Sequence, residues 1–209
     1  MSGRSAAEVW ALVHAERAAL IDDLAGLAPE QWERESLCAD WTVHDVAAHL
    51  VDAYRTTRLG FVARMAKARF DFDRQNTAGA AKEKGTTPQE TLKRLRAAAP
   101  LTATPPAPLG TRLVEEVVHG EDIRRPLGIV RDYPQEAVLE ALRTHVGLSK
   151  SVGGAKELVA PIRLVASDAD VAIGTGPEAR GTALALLLAV NGRRAALAEI
   201  EGPGAAALA

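Results

Sequence analysis

Apolar residues recur at helical spacing through most of the first 126 positions. Between Thr42 and Tyr54 the stripe is Val43, Val46, Ala47, Leu50 and Tyr54, the i, i+3, i+4, i+7 pattern that one helix face buries. Thr42 precedes it as a cap with Asp45 three residues on, a short-armed capping box. This pattern predicts a helix over residues 42–70. Ser5 and Glu8 frame an earlier one over residues 5–26, with Val9, Leu12, Val13, Glu16, Leu20 and Leu24 inward and Gly26 as its stop. Pro29 to Trp32 can form a short helical turn, and residues 33–40 read as a polar loop. Thr87, Pro88 and Glu90 open a third long helix over residues 88–99, with proline at the first helical position. A fourth runs from about Thr111 to Arg125, before Pro126 and Gly128. Residues 71–87 lack the period and read as a loop, and the proline-rich residues 100–108 as a link. Four amphipathic helices predict a helical bundle.

The pattern changes after residue 131, and the period shifts from helical to alternating near Pro161. Residues 134–152 read as a helix that Gly153-Gly154 breaks. Residues 162–166 and 170–174 alternate as strands around a Ser167-Asp168-Ala169 turn, because alternation is the mark of a half-buried strand. Thr182 to Val190 is an apolar helix stopped by Asn191-Gly192, and residues 196–200 read as a last strand. The expectation is a mixed α plus α/β chain of two domains: a helical bundle at 1–130 and a small α+β domain at 131–209.

Composition narrows the function classes. The 209 residues are 47% hydrophobic and 25% charged, with 25 basic against 27 acidic side chains and a net charge of -2. That balance lacks the basic excess of a nucleic-acid binder. No apolar run is long enough to span a membrane, and the opening Met-Ser-Gly-Arg-Ser leads into a helix pattern without the apolar core of a secretory signal. Cytoplasm is the expected compartment. The single cysteine, Cys38, excludes an internal disulfide and a multi-cysteine metal site; it reads as an inert loop thiol.

Two helices carry candidate chemistry. His49 lies on the shoulder of the 42–70 stripe with Thr42, Asp45 and Ala53, roughly 100° from its centre; the plain reading is a partly exposed histidine bonded to Asp45. On the fourth helix Glu115 and His119 are four residues apart and share a face with Thr111 and Asp122. They form either a solvated ion pair worth roughly 0.2–0.5 kcal/mol or two ligands of one metal, with His49 as the third. Imidazole plus carboxylate suits zinc and other divalent ions, and three protein ligands leave one position for water or substrate. Gly174-Thr-Gly-Pro reads as a turn, lacking the spacing of a phosphate loop. His14, His44 and His145 read as core or surface histidines, and Trp10, Trp32 and Trp41 as packing anchors.

The run Asp40-Trp-Thr-Val-His-Asp-Val-Ala-Ala-His-Leu, followed by Glu115-x-x-x-His119-Gly-x-Asp-Ile-Arg-Arg-Pro-Leu-Gly, resembles the mycothiol-dependent maleylpyruvate isomerase family of the DinB-like superfamily. The stretch from Ile162 to Asp168, Gly174-Thr-Gly-Pro and Leu186 to Arg193 is similar to that family's small second domain. The resemblance implies a DinB-like four-helix metal-binding domain. It implies a divalent ion, typically zinc, on His49, Glu115 and His119, with Glu116 the alternative to Glu115. It also implies an arginine of the second domain at the active site, for which Arg193 is the candidate and Arg194 its neighbour. Asp45 could orient His49, and Asp122 could orient His119. The implied activity is metal-dependent use of mycothiol for isomerisation or thiol transfer. Its partners would be a small thiol and a small acceptor, with no nucleic acid and no membrane; a homodimer is compatible with this reading. The alternative is a non-catalytic metal-binding or regulatory DinB-like protein.

Overall fold

The computed structural model describes residues 4–209. Part of the leader reading falls on residues 1–3, outside the described residues. The chain divides into two compact units, one through Arg131 and one over Asp132–Ala209.

The first unit is helical: α1 (Ala6–Ala25), α2 (Pro29–Trp32), α3 (Val43–Arg55), α4 (Arg58–Lys67), α5 (Phe72–Glu83), α6 (Pro88–Ala98) and α7 (Thr111–Leu127). The caps are the expected ones. Ser5 and Glu8 close a capping box on α1, Thr42 and Asp45 on α3, and Thr87 accepts from Glu90 N on α6. Helix α3 is the centre of the bundle, packed on α5, α6 and α7, while α1 packs on α6 and α7. Of its residues only Asp45 and Arg55 are not buried. A helix covered on every side needs an apolar interior partner for each face, and Leu20, Leu24, Trp32, Leu92, Leu95 and Ile123 supply it.

Two expectations about this unit are corrected. The helix over 42–70 is two helices. Thr56 ends α3 with its hydroxyl donating to Asp52 O at 2.7 Å, and Thr57 starts α4 by accepting from Gly60 N at 3.1 Å. Adjacent hydroxyls that bond back to the backbone offer the chain a stop and a start. The loop expected over 71–87 contains α5, capped by Asp71. Its buried residues are Gln75, Gly79, Ala80 and Glu83, so it covers α3 with small and polar side chains that leave no apolar period to read.

The second unit holds α8 (Gln135–Gly147), α9 (Lys156–Val159), β1 (Arg163–Ala166), β2 (Ala172–Gly174), β3 (Glu178–Gly181) and α10 (Ala183–Val190). The sheet order is β2-β1-β3; β1 pairs antiparallel with β2 and parallel with β3, in the register Leu164↔Ile173 and Leu164↔Ala179. Helix α8 packs on α10, whose apolar residues other than Leu184 are buried. The expected helix over 134–152 ends at Gly147 and is followed by a 3-10 turn, Lys150–Val152. The expected strand over 196–200 is a 3-10 helix, Arg194–Glu199. The third strand is instead β3, a short polar segment that only pairing with β1 defines. No helix among the described residues is long and apolar enough to cross a membrane.

Candidate metal centre

Helix periodicity sets the local half of the site. Glu115 and His119 lie one turn apart on α7, so their side chains rise over the same spot. The packing of α3 on α7 then brings His49 to them from 66 residues away in the chain. His49 Nε2 lies 3.3 Å from Glu115 Oε2, and His119 Nε2 lies 3.6 Å from the same oxygen. The two imidazole rings meet edge to face with centroids 4.8 Å apart. One nitrogen from each histidine and one carboxylate oxygen all fall within 4.8 Å of one another. Side-chain exposures of 7%, 15% and 27% for His49, His119 and Glu115 describe a site that is neither sealed nor on the open surface.

These residues fit a divalent ion. Donors about 2.0–2.2 Å from a tetrahedral ion stand about 3.3–3.6 Å from each other, and the two carboxylate–imidazole distances match that edge. The donor set of two imidazoles and one carboxylate is the kind that binds zinc with a position left over.

The surrounding groups treat the two histidines differently. Asp122 is fully buried and accepts from His119 Nδ1 at 2.9 Å, which fixes the ring with Nε2 on the side of Glu115. Asp45 does not orient His49, contrary to expectation. It is taken by its cap bonds to Thr42 and by Lys84, 2.8 Å away, and His49 Nδ1 is buried with no hydrogen-bond partner among the described residues. Nor is His49 partly exposed: it is buried on a helix covered on all sides, with the Trp41 ring 5.2 Å from its own. Burial works to raise the Glu115 carboxyl, but the His49 hydrogen bond and the charges of Arg112, His49 and His119 outweigh it and hold the group far below the usual carboxylate range.

Glu116, the alternative to Glu115, is committed elsewhere. It accepts from Arg17 Nε at 2.9 Å and from the Tyr54 hydroxyl at 2.6 Å, in a cluster with side-chain exposure near zero. His44 bonds Thr91, and His14 stacks on Trp10; neither joins the site. Arg193 follows α10 in the second unit, with Nη1 donating to Asn191 O at 2.7 Å. The residues that sequence reasoning missed are Trp41 and Arg112. Arg112 stands three positions before Glu115, and that i, i+3 spacing is the signal that could have found it.

Comparison with known proteins adds to this picture. Residues 13–107 match the family model of the mycothiol maleylpyruvate isomerase N-terminal domain. The match spans His49 and stops short of Glu115. Two solved structures share the fold: the crystal structure of the mycothiol-dependent maleylpyruvate isomerase, at 16% identity, and that of its histidine-to-alanine mutant, at 17%. Each covers 97% of this chain and 96% of its own, with a TM-score of 0.63. No curated protein matches the chain.

Proposed function

From the match of residues 13–107 to the mycothiol maleylpyruvate isomerase N-terminal domain we propose that the chain is a member of that family, a divalent-metal-dependent enzyme that uses a low-molecular-weight thiol, mycothiol by family, for isomerisation or thiol transfer. The observation that carries the reading is the convergence of His49 Nε2, Glu115 Oε2 and His119 Nε2 from two helices, with Asp122 behind His119. An ion on these three donors, zinc by their chemistry, would hold a thiol as its thiolate, the nucleophilic form.

The protein's own residues prepare that chemistry. Asp122 keeps the His119 proton on Nδ1, so that Nε2 can act as a ligand. The charges around Glu115 keep it ionised, and an ionised carboxylate is the ligand form. Cys38, the one thiol of the chain, is half-buried against the hydrophobic core, which fits a nucleophile brought in from outside. An added thiolate forms a C–S bond to one carbon of a conjugated alkene. The former double bond rotates, and elimination returns the thiolate and the isomerised alkene. In a transferase the C–S bond is kept and the other former alkene carbon, which holds the displaced electron pair, takes a proton. Coordination raises the thiolate fraction of a thiol of pKa about 8.5 by at most some tens-fold at neutral pH, so positioning of the acceptor must supply the larger share of any acceleration. Arg193 is the residue proposed to bind an acceptor carboxylate, as a two-pronged donor.

Metal analysis of the purified protein, followed by calorimetric titration of mycothiol or another small thiol, tests the reading. One equivalent of divalent metal, heat on thiol addition and a sulfur-to-metal absorption band in the cobalt-loaded protein are the expected results. Metal without heat or band at millimolar thiol would refute the thiol chemistry and leave a metal-binding protein without turnover.

A further inference from the structure

The two oxygens of Glu115 face different partners. Oε2 is turned to both imidazoles, at 3.3 and 3.6 Å. Oε1 is turned to Arg112 Nη2, at 3.7 Å. Arg112 itself is 4% exposed, and its Nη1 donates to Ala53 O of α3 at 3.3 Å. That carbonyl lies in the last turn of α3, which ends at Arg55; it also accepts from the capping Thr56 N at 3.3 Å and carries part of the negative end of the helix dipole. The guanidinium is therefore held by the end of one ligand-bearing helix while it pairs with a ligand on the other. Its fork is planar and rigid, and its bond to Ala53 O restrains it from following Glu115 if the carboxylate turns.

We infer that Arg112 is a positioning residue that reserves one oxygen of Glu115, so that this carboxylate offers a single oxygen to the ion and the position a thiol needs stays open. The inference rests on the metal and thiol reading above. A carboxylate released from Arg112 is free to turn both oxygens to a cation, as carboxylates do where nothing else claims the second. That would add a protein ligand where the incoming sulfur should bind. Arg112 also lowers the charge that Glu115 presents, so its presence weakens the hold on the ion while favouring thiol access. A residue that only glues α3 to α7 would instead support both functions together.

The test separates these roles. Arg112→Met is titrated with zinc alone and then, metal-loaded, with a small thiol; the cobalt-loaded form is read by visible absorption. Zinc affinity should hold or rise, thiol affinity should fall roughly tenfold or more, the scale of a lost outer-shell partner, and the visible cobalt bands should weaken as coordination number increases. Parallel loss of both affinities, or unchanged thiol affinity, overturns the inference. Should Arg112→Met not fold, X-ray absorption of the zinc-loaded wild-type protein decides alone. One carboxylate oxygen at ligand distance is the expected result, and a carboxylate bound through both oxygens overturns the inference while leaving the metal site standing. A wild-type protein that takes up no zinc overturns the metal reading itself, and this inference with it.

Discussion

Substituting Asp122 tests how far the site depends on its outer shell. Its carboxylate is fully buried and accepts from His119 Nδ1 at 2.9 Å. A hydrogen bond to a charged group contributes about 1.5–3 kcal/mol net. If that energy goes into holding His119 as a ligand, its loss weakens metal binding by roughly 10–100-fold, since each 1.4 kcal/mol is tenfold. Asp122→Asn keeps the volume but removes the charge. Its amide can also point N–H at Nδ1, which would drive the histidine proton onto Nε2, the ligand atom, so the expected loss lies toward the upper end of that range. The assay is competition for zinc against a chromophoric chelator at constant pH. A thermal melt of the metal-free variant alongside it shows whether the fold survives. Zinc affinity within twofold of wild type in a folded Asp122→Asn protein would refute the claim that this bond prepares His119.

Removing a ligand should do more: His119→Ala is expected to lose stoichiometric zinc on dialysis, while His14→Ala, whose ring stacks on Trp10, keeps it. Equal retention in both would count against the ligand set. Arg17→Met strands the Glu116 carboxylate in a cluster with side-chain exposure near zero, and breaking such a pair costs about 3–5 kcal/mol; urea unfolding should show it, and pairing it with Glu116→Leu should restore much of the loss. A loss no larger than that of a surface substitution would refute that assignment. Stability should fall as pH drops below about 6.5, the ordinary histidine value. Burial lowers His44 and His145 below that value, with Lys84 adding to the effect on His44 and Arg193 to that on His145, so between the folded and unfolded values the unfolded chain binds more protons. Urea midpoints taken from pH 7 to 5 should therefore decline, and less steeply in His44→Gln; an equal slope in that variant would be the contrary result. Arg193→Lys is expected to weaken acceptor use with zinc and thiol titrations unchanged, and a loss of zinc in that variant would exclude the proposed role.

How much of this was legible in the chain depends on range. The caps at Ser5, Thr42 and Thr87 were readable because a cap is made within three residues. The same is true of Glu115 and His119, which any helix brings together, and of the shift from helical to alternating period near Pro161. Helix α5 was not readable, because its covered face is Gln75, Gly79, Ala80 and Glu83, residues that become interior only once α3 lies against them. β3 was missed for the same reason: Glu178-Ala-Arg-Gly is a strand through its parallel partner β1, not through its own pattern. The site divides along the same line. Periodicity alone leaves Glu115 and His119 an ion pair or a pair of ligands, and His49 enters as a third ligand only through its donor chemistry and the family resemblance, since no spacing rule reaches across 66 residues. Whether Glu115 or Glu116 turns to the histidines is also undetermined by the helix wheel. Packing decides it, because Arg17 from α1 and Tyr54 from α3 claim Glu116 and leave its neighbour to the site. The sequence by itself thus determined what is made within a turn or two of helix, where bond geometry limits the choices. The tertiary structure decided the rest, because burial, and with it the partner each charged group must find, is a property of the neighbours that folding supplies.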